Sequence, residues 1–172
     1  MKTKVRAALS RLIPHKYAID ASSLGDDGEL AWTNLGFWKN TQNYREACCQ
    51  LADQLAQAVN LNSKDHLLDL GCGQGASLLH WLQHYQPKSL SAVDLQAQCV
   101  HKIQKLIPEI SQIFCGSFLN LKQFEFKHCF DVVLCIDAAY HSNLNSFLDS
   151  IAPVLNSKGR IAFHYLMWSD AW

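Results

Sequence analysis

Residues 66–75, HLLDLGCGQG, decide the fold of this chain. An apolar run leads into Asp69, and three of the eight glycines of the chain then follow at Gly71, Gly73 and Gly75. Glycine adopts positive φ angles freely and lets the backbone come close to a ligand. The next ten residues, ASLLHWLQHY, have apolar positions at helical spacing. The segment therefore predicts a strand, a glycine turn and a helix, in that order.

The alternation of strands and helices continues to the end of the chain. Such alternation is typical of a parallel sheet covered by helices on both faces. We therefore predict an α/β fold, a Rossmann-like doubly wound parallel sheet of about five strands in a three-layer sandwich. Further strands are predicted in LSAVDL (90–95), SQIFCGSF (111–118), FDVVLCID (130–137) and GRIAFHYLMW (159–168), and further helices over 44–60, 96–107 and 144–155.

A chain of 172 residues is long enough for one well-filled domain and too short for two of ordinary size. We expect an N-terminal helical cap over residues 1–43 and the Rossmann-like domain over residues 44–172. Basic residues and the apolar positions Val5, Leu9, Leu12 and Ile13 fit a short helix that docks on the domain. A targeting or membrane-surface segment is the alternative. No run approaches the length of a transmembrane span.

The composition argues against several classes of protein, namely those that bind nucleic acid or membranes by general charge, those stabilised by disulfides and those with a metal site. The fifteen basic and fifteen acidic side chains cancel, so no general field attracts nucleic acid or an anionic membrane. Seven cysteines form an odd set in which Cys48 and Cys49 are adjacent, which favours a reducing cytoplasm over disulfides. Neither a CxxC pair nor an HExxH motif occurs, and we expect no metal site.

A second acid follows the glycine turn at the separation that nucleoside binding requires. Asp94 ends the second predicted strand nineteen residues after Gly75, where a carboxylate can accept both hydroxyls of a ribose. Asp69, at the end of the first strand, suits a sulfonium and amino group better than a pyrophosphate. Gly71, Gly73 and Ala76 also satisfy the dinucleotide fingerprint. An NAD(P)-binding oxidoreductase is therefore an alternative, although no Tyr/Lys pair for hydride transfer is found, and a glycine turn without a ligand is another.

Several motifs together resemble one family. LLDLGCGQG, the acid in AVDL, CGSF and FDVVLCIDAAYH are similar to the class I methyltransferases that use S-adenosylmethionine, over about residues 30–165. NLGFW, residues 34–38, is similar to the LGYW of small-molecule and lipid methyltransferases. The resemblance implies transfer of a methyl group to an O, N or C atom of a small organic or lipid acceptor. IDAAY stands where enzymes that methylate nucleic-acid amines have a proline-aromatic signature, so we expect no nucleic-acid partner.

The resemblance also implies a set of site residues. His141 is the first candidate for a general base, needed only if the acceptor must lose a proton. Each side chain has a structural alternative: Trp38 and Phe118 as core aromatics, Asp137 as a helix cap, Cys72 as a small residue that fits. The implied cofactor-binding residues are Asp69, Gly71, Cys72, Gly73 and Gly75 near the methionine part, Asp94 and Leu95 at the ribose, Ser117 and Phe118 beside the adenine, and Asp137 and Trp38 facing or closing the site.

Relatives of this class continue beyond the fifth strand, through helices and two more strands, whereas this sequence ends at Trp172. We therefore expect an unfinished sheet edge. A homodimer that covers this edge and completes the pocket is one expectation. A protein that holds the cofactor without turnover and a shortened methyltransferase with little activity are the others.

Overall fold

The computed structural model describes residues 20–166, so the helix predicted around Val5–Ile13 lies outside the described residues. Five strands form a single sheet, and every neighbouring pair in it is parallel. This confirms the predicted fold class. The strands are β1 His66–Leu70, β2 Ser89–Asp94, β3 Gln112–Cys115, β4 Phe130–Cys135 and β5 Leu155–Phe163.

Four α-helices connect or precede the strands. The side chain of Asn43 accepts a hydrogen bond from the Glu46 N–H at 3.0 Å and so begins the first helix, and Asn143 begins the last one in the same way. The second helix continues as a π-helical turn, Trp81–Tyr85. The α-helices are α1 Tyr44–Ala58, α2 Ala76–His80, α3 Ala97–Leu106 and α4 Leu144–Ile151, and short 3₁₀ helices lie at Ser22–Leu24, Phe118–Gln123, Ala139–His141 and Ala152–Val154.

The strand order is β3-β2-β1-β4-β5. From β1 the chain moves outward to β2 and β3, then returns to the other side of β1, where Leu67 pairs with Val132 of β4. The direction of winding therefore changes between β1 and β4. In open parallel sheets, ligands bind outside the carboxyl ends of the strands at such a switch point. The topology thus places a site directly after HLLDL.

Alternate side chains of the central strands enter two separate cores. Leu67 of β1 packs on one face with residues of α1, α2 and α3, whereas Leu68 packs on the other with Phe147 and Ile151 of α4. Successive side chains of a strand point to opposite faces of the sheet. Because both faces are covered here, both sets of side chains are apolar and the strands are nearly continuous apolar runs.

Residues 20–43 join the first of these cores. Ala21, Ala31 and Trp32 are each at most 5% exposed and pack in the same cluster as α1. The segment contains one 3₁₀ turn, Ser22–Leu24, and is otherwise irregular. The proposed boundary at residue 43 stays a prediction. Within residues 20–166, the structure has no helix that is long and apolar enough to cross a membrane.

The start of β5 differs from the prediction. The strand was predicted to begin at Gly159, but Leu155 already pairs with Phe130, and Arg160 then pairs with Val132. The register advances by five residues in β5 and by two in β4, which makes a bulge. Polar contacts hold this bulge: the Asn156 amide donates to Asp131 Oδ1 at 2.7 Å, and Arg160 forms an ion pair with Asp65. The start of β5 is polar and is held by tertiary contacts, so its sequence has no alternation of apolar and polar residues that would predict a strand.

Gly75 and Gly25 allow the packing of the glycine turn to be tested. Their φ angles are 95° and 94°, but a Cβ at Gly75 would lie 2.7 Å from Ile103 Cγ1, whereas one at Gly25 would meet nothing within 4 Å. We expect Gly25→Ala to destabilise the protein by about 1–2 kcal/mol through its backbone alone. Gly75→Ala should lower the free energy of unfolding by about 1–3 kcal/mol more than Gly25→Ala does, because Ile103 must move. Urea denaturation of both variants measures the difference, and equal losses would contradict the packing argument.

Candidate functional site

A cavity of about 380 Å³ lies at the carboxyl ends of the strands, around the switch point between β1 and β4. The glycine turn forms one wall, and the ends of β2, β3 and β4 contribute the others. Residues 31–35, which precede α1 in the chain, form the remaining part of the wall. The structure brings nine of the predicted site residues to this cavity, namely Gly71, Cys72, Gly73, Asp94, Leu95, Ser117, Phe118, Asp137 and His141.

The glycine turn requires glycine for two reasons. Gly71, Gly73 and Gly75 all have positive φ angles, at 74°, 53° and 95°. A Cβ at Gly71 would also lie 2.7 Å from Ala138 Cβ, and one at Gly73 would lie 2.7 Å from the Thr33 hydroxyl oxygen. The turn is therefore pressed against neighbouring segments as well as facing the cavity.

Asp94 connects the end of β2 to the glycine turn. Its Oδ2 accepts a hydrogen bond from the Gly73 N–H, and its Oδ1 accepts one from the Gln96 N–H, both at 2.8 Å. The residue is 6% exposed and lines the cavity. The carboxylate therefore holds the glycine turn from a position in the cavity wall.

Asp69 has a different environment from the one predicted. Its side chain is 1% exposed and does not line the cavity, and its Oδ2 accepts a hydrogen bond from the Trp81 indole N–H at 2.7 Å. Burial raises the pKa of this carboxyl to about 6, while hydrogen bonds from Trp81 and Ser77 oppose the rise and the charge of Asp94 adds to it. Asp69 thus joins the end of β1 to the helical segment after the turn. Its predicted contact with the cofactor stays a prediction.

Gly75 and Trp38 also lie outside the cavity wall. Gly75 packs on Ile103 of α3. The Trp38 indole N–H donates to the Leu35 carbonyl at 2.6 Å, and its ring lies 6.3 Å from that of Tyr44. Trp38 is 48% exposed, so it is not a core aromatic.

The end of β3 contributes Ser117 and Phe118. The Ser117 hydroxyl accepts a hydrogen bond from the Leu119 N–H at 3.2 Å and so caps the following 3₁₀ helix. The Phe118 ring meets Phe147 edge to face, with 5.6 Å between centroids, and its carbonyl accepts from the Ser150 hydroxyl at 2.6 Å. Structural contacts therefore fix both residues while they line the cavity.

Asp137 and His141 follow β4. Asp137 has a φ of 48°, and its Oδ2 accepts a hydrogen bond from the Leu35 N–H at 2.6 Å. Its Oδ1 lies 3.6 Å from His164 Nδ1, too far for a hydrogen bond, and burial lowers the pKa of His164. His141 is exposed at the end of a 3₁₀ helix, 4.4 Å from Tyr140 between ring centroids.

Sequence reasoning missed part of the wall. Trp32 and Thr33 line the cavity although they precede the NLGFW motif, and Gln96 and Tyr140 line it as well. Trp32 and Thr33 lie in an irregular segment, which has no periodicity to reveal which side chains face inward. Their position directly before NLGFW was the available signal.

The cysteines contribute to the site through one side chain, Cys72, which lines the cavity. All seven cysteines are free thiols. Burial raises the pKa of the Cys72 thiol, so this side chain is a protonated, small component of the wall. Within residues 20–166, no group of three or more His, Cys, Asp or Glu side chains could hold a metal ion.

The topology and the cavity define a class of protein, the α/β proteins with a ligand site at the switch point of a parallel sheet. The family comparison is more specific. Residues 68–163, more than half of the chain, match the family described as "Methyltransferase domain", and the chain belongs to this family. This agrees with the resemblance to the class I methyltransferases.

One curated relative is the erythromycin 3''-O-methyltransferase of Saccharopolyspora erythraea. It is 34% identical over 94 residues, which are 54% of this chain and 30% of that protein.

Solved structures confirm the fold. Coclaurine N-methyltransferase, bound to N-methylheliamine and S-adenosylhomocysteine (SAH), superposes with a TM-score of 0.70 at 19% identity, over 91% of this chain and 46% of that one. Mycolic acid cyclopropane synthase, complexed with SAH, has a TM-score of 0.68 at 18% identity, over 86% of this chain and 52% of that one. The chain thus spans about half the length of these structures.

The buried Asp69 carboxyl should make stability depend on pH. The unfolded chain loses this proton near pH 3.8, whereas the folded protein holds it up to about pH 6. The folded state therefore binds more protons in this interval, and stability falls as the pH rises through it. Asp69→Asn keeps an oxygen that can accept from Trp81 but does not ionise. Relative to this variant, the free energy of unfolding of the wild type should fall by on the order of 3 kcal/mol between pH 4 and pH 7.

Urea denaturation of both proteins at pH 4, 5, 6 and 7 tests this expectation. Groups that titrate in both proteins cancel in the difference. A difference that stays constant over this range would mean that Asp69 ionises normally in the folded state.

Proposed function

We propose that the chain binds S-adenosylmethionine in this cavity and takes part in methyl transfer to an O, N or C atom of a small organic or lipid acceptor. The observation that carries the proposal is the Asp94 carboxylate, which lines the cavity while it accepts a hydrogen bond from the Gly73 N–H. It combines an acid for ribose hydroxyls with a glycine turn that a nucleoside can approach. Family membership supports the same cofactor.

The residues of the cavity fit this cofactor. The volume of about 380 Å³ lies within the usual range of small-molecule sites, about 300–1,000 Å³. Among the described residues, the wall includes the carboxylates of Asp94 and Asp137 and no lysine or arginine. Such a wall suits a cationic sulfonium better than the pyrophosphate of a dinucleotide. Charge therefore supports S-adenosylmethionine over NAD(P).

The proposed roles follow the positions of the residues. Asp94 accepts the ribose hydroxyls, with Leu95 beside it, and Phe118 and Ser117 lie beside the adenine. The backbone at Gly71, Cys72 and Gly73 approaches the methionine part. Asp69, Gly75 and Trp38 lie outside the lining of the cavity, and their proposed role is to support the wall.

S-adenosylmethionine supplies a methyl group that is already activated by the positive charge of its sulfur. The contribution of the chain is then to hold the reactants in line and to exclude water. His141 lies at the rim, on the β4 side, where its imidazole is proposed to accept a proton from an acceptor that must lose one.

The acceptor class rests on the relatives. An erythromycin 3''-O-methyltransferase, a coclaurine N-methyltransferase and a mycolic acid cyclopropane synthase support small organic or lipid acceptors. Seven free thiols support a cytoplasmic location. Within the described residues β5 is an edge strand, and a homodimer that covers it is part of the proposal.

Calorimetric titration with S-adenosylmethionine, SAH and NADH tests the cofactor assignment. We expect saturable binding of the first two ligands only. Asp94→Asn should weaken SAH binding by about tenfold or more, because hydrogen bonds to a charged acceptor contribute about 1.5–3 kcal/mol. Glu109→Gln removes one carboxylate from an exposed position and should bind like the wild type.

Three other outcomes of the titration have distinct meanings. Binding of NADH alone would support the oxidoreductase alternative. Binding of neither ligand by the folded protein would overturn the proposed cofactor site. Binding of S-adenosylmethionine without methylation of any acceptor in a broad panel would support a cofactor-binding protein without turnover.

His141→Gln tests the proposed base. With an acceptor that must lose a proton, we expect kcat to fall by about 10²-fold or more, whereas the dissociation constant of SAH stays within about twofold. An equal loss of SAH affinity would instead make His141 a cofactor-binding residue.

A further inference from the structure

Residues 31–37, here called the strap, run along the N-terminal side of the cavity. Five consecutive residues of the strap, 31–35, line the cavity. Thr33 presses on the glycine turn, since its hydroxyl oxygen would lie 2.7 Å from a Cβ placed at Gly73. The strap therefore forms a wall of the site that is not part of the sheet.

One side of the strap is fastened to α1. The Tyr44 hydroxyl lies within hydrogen-bonding distance of the carbonyls of Trp32, at 3.1 Å, and Asn34, at 3.2 Å. At the far end, the Phe37 N–H donates to the Ala47 carbonyl at 2.8 Å. These contacts tie Trp32, Asn34 and Phe37 of the strap to α1.

The middle of the strap is fastened to β4 by a charged hydrogen bond. The Leu35 N–H donates to Asp137 Oδ2 at 2.6 Å, between residues 102 positions apart in the sequence. Hydrogen bonds to an ionised acceptor are about twice as strong as neutral ones. Apolar burial adds little at this point, because Leu35 is 58% exposed. Gly36 follows directly, and its φ of 74° is a backbone conformation that glycine adopts readily.

The backbone at Asp137 is arranged for this contact. Its φ of 48° lies in the left-handed region, which asparagine and aspartate enter more readily than other residues with side chains. The conformation places the carboxylate against the strap, two residues after the end of β4.

We propose that Asp137 is a positioning residue that fastens the strap across the cavity through the Leu35 amide, and that this contact sets how long the cofactor stays bound. The inference rests on the proposed binding of S-adenosylmethionine in the cavity. Closure of the wall raises the barrier to release, and changes in affinity among related variants appear mainly in the dissociation rate.

Three variants separate the carboxylate from the backbone. Asp137→Gly removes the side chain and tolerates the positive φ, so it adds no backbone strain. Asp137→Asn keeps one acceptor oxygen without the charge. Asp27→Gly removes a carboxylate from an exposed loop position and serves as the charge control. Stopped-flow measurement of SAH dissociation should show a rate about tenfold higher in Asp137→Gly, a smaller increase in Asp137→Asn and no change in Asp27→Gly.

A double-mutant cycle with Leu35→Pro identifies the route of the effect. Proline removes the N–H donor of the strap and leaves the carboxylate in place. If Asp137 acts through the strap, Asp137→Gly should have almost no further effect on SAH dissociation in the Leu35→Pro protein. Additive effects would mean that Asp137 contacts the cofactor directly and would overturn the inference.

Amide hydrogen exchange of Leu35 gives a measurement that does not depend on the cofactor. The amide should be protected in the free wild-type protein and should exchange at least about tenfold faster in Asp137→Gly. Equal exchange in the two proteins would show that the strap is not fastened at this point. Protection without any SAH binding by the wild type would leave the contact intact but overturn both the retention role and the proposed function.

Discussion

The hydrogen bond from the Gly73 N–H to the Asp94 carboxylate joins two strands that the chain reaches separately. Asp94 ends β2, and Gly73 lies in the turn after β1, so the bond fixes the turn relative to the sheet. A turn with three positive φ angles has no periodic hydrogen bonding of its own and depends on such external partners. Asp69 gives a second one, since it ties the end of β1 to Trp81 beyond the turn. These two carboxylates hold the turn that forms one wall of the cavity.

The two acids near the ends of β1 and β2 have different roles because their surroundings differ. Asp94 lines the cavity, whereas Asp69 is enclosed by the turn and the following helix. Burial raises the pKa of Asp69, so this side chain opposes folding above that pKa while it orients Trp81. A buried carboxylate of this kind is expected where a local constraint outweighs its cost in stability.

Much of the fold was visible in the sequence because both faces of the sheet are covered. Apolar runs of five or six residues, followed by helical spacing, predicted β1, β2, α3 and β4 to within two residues. The start of β5 could not be predicted in this way, because Asn156 and Arg160 are polar and their positions depend on Asp131 and Asp65, which are distant in the sequence. Local patterns do not record contacts of this kind.

The sequence by itself determined the glycine turn, the acid nineteen residues beyond it and the alternation of elements, because backbone conformation and burial impose residue types locally. The resemblance of the sequence to the class I methyltransferases also implied Ser117, Phe118, Asp137 and His141 as site residues, and all four line the cavity. Only the tertiary structure decided that Asp69 and Trp38 lie off the cavity wall, that residues 31–35 form part of it, and that Leu35 meets Asp137. These outcomes depend on how an irregular segment packs across the sheet, and no local periodicity encodes that packing.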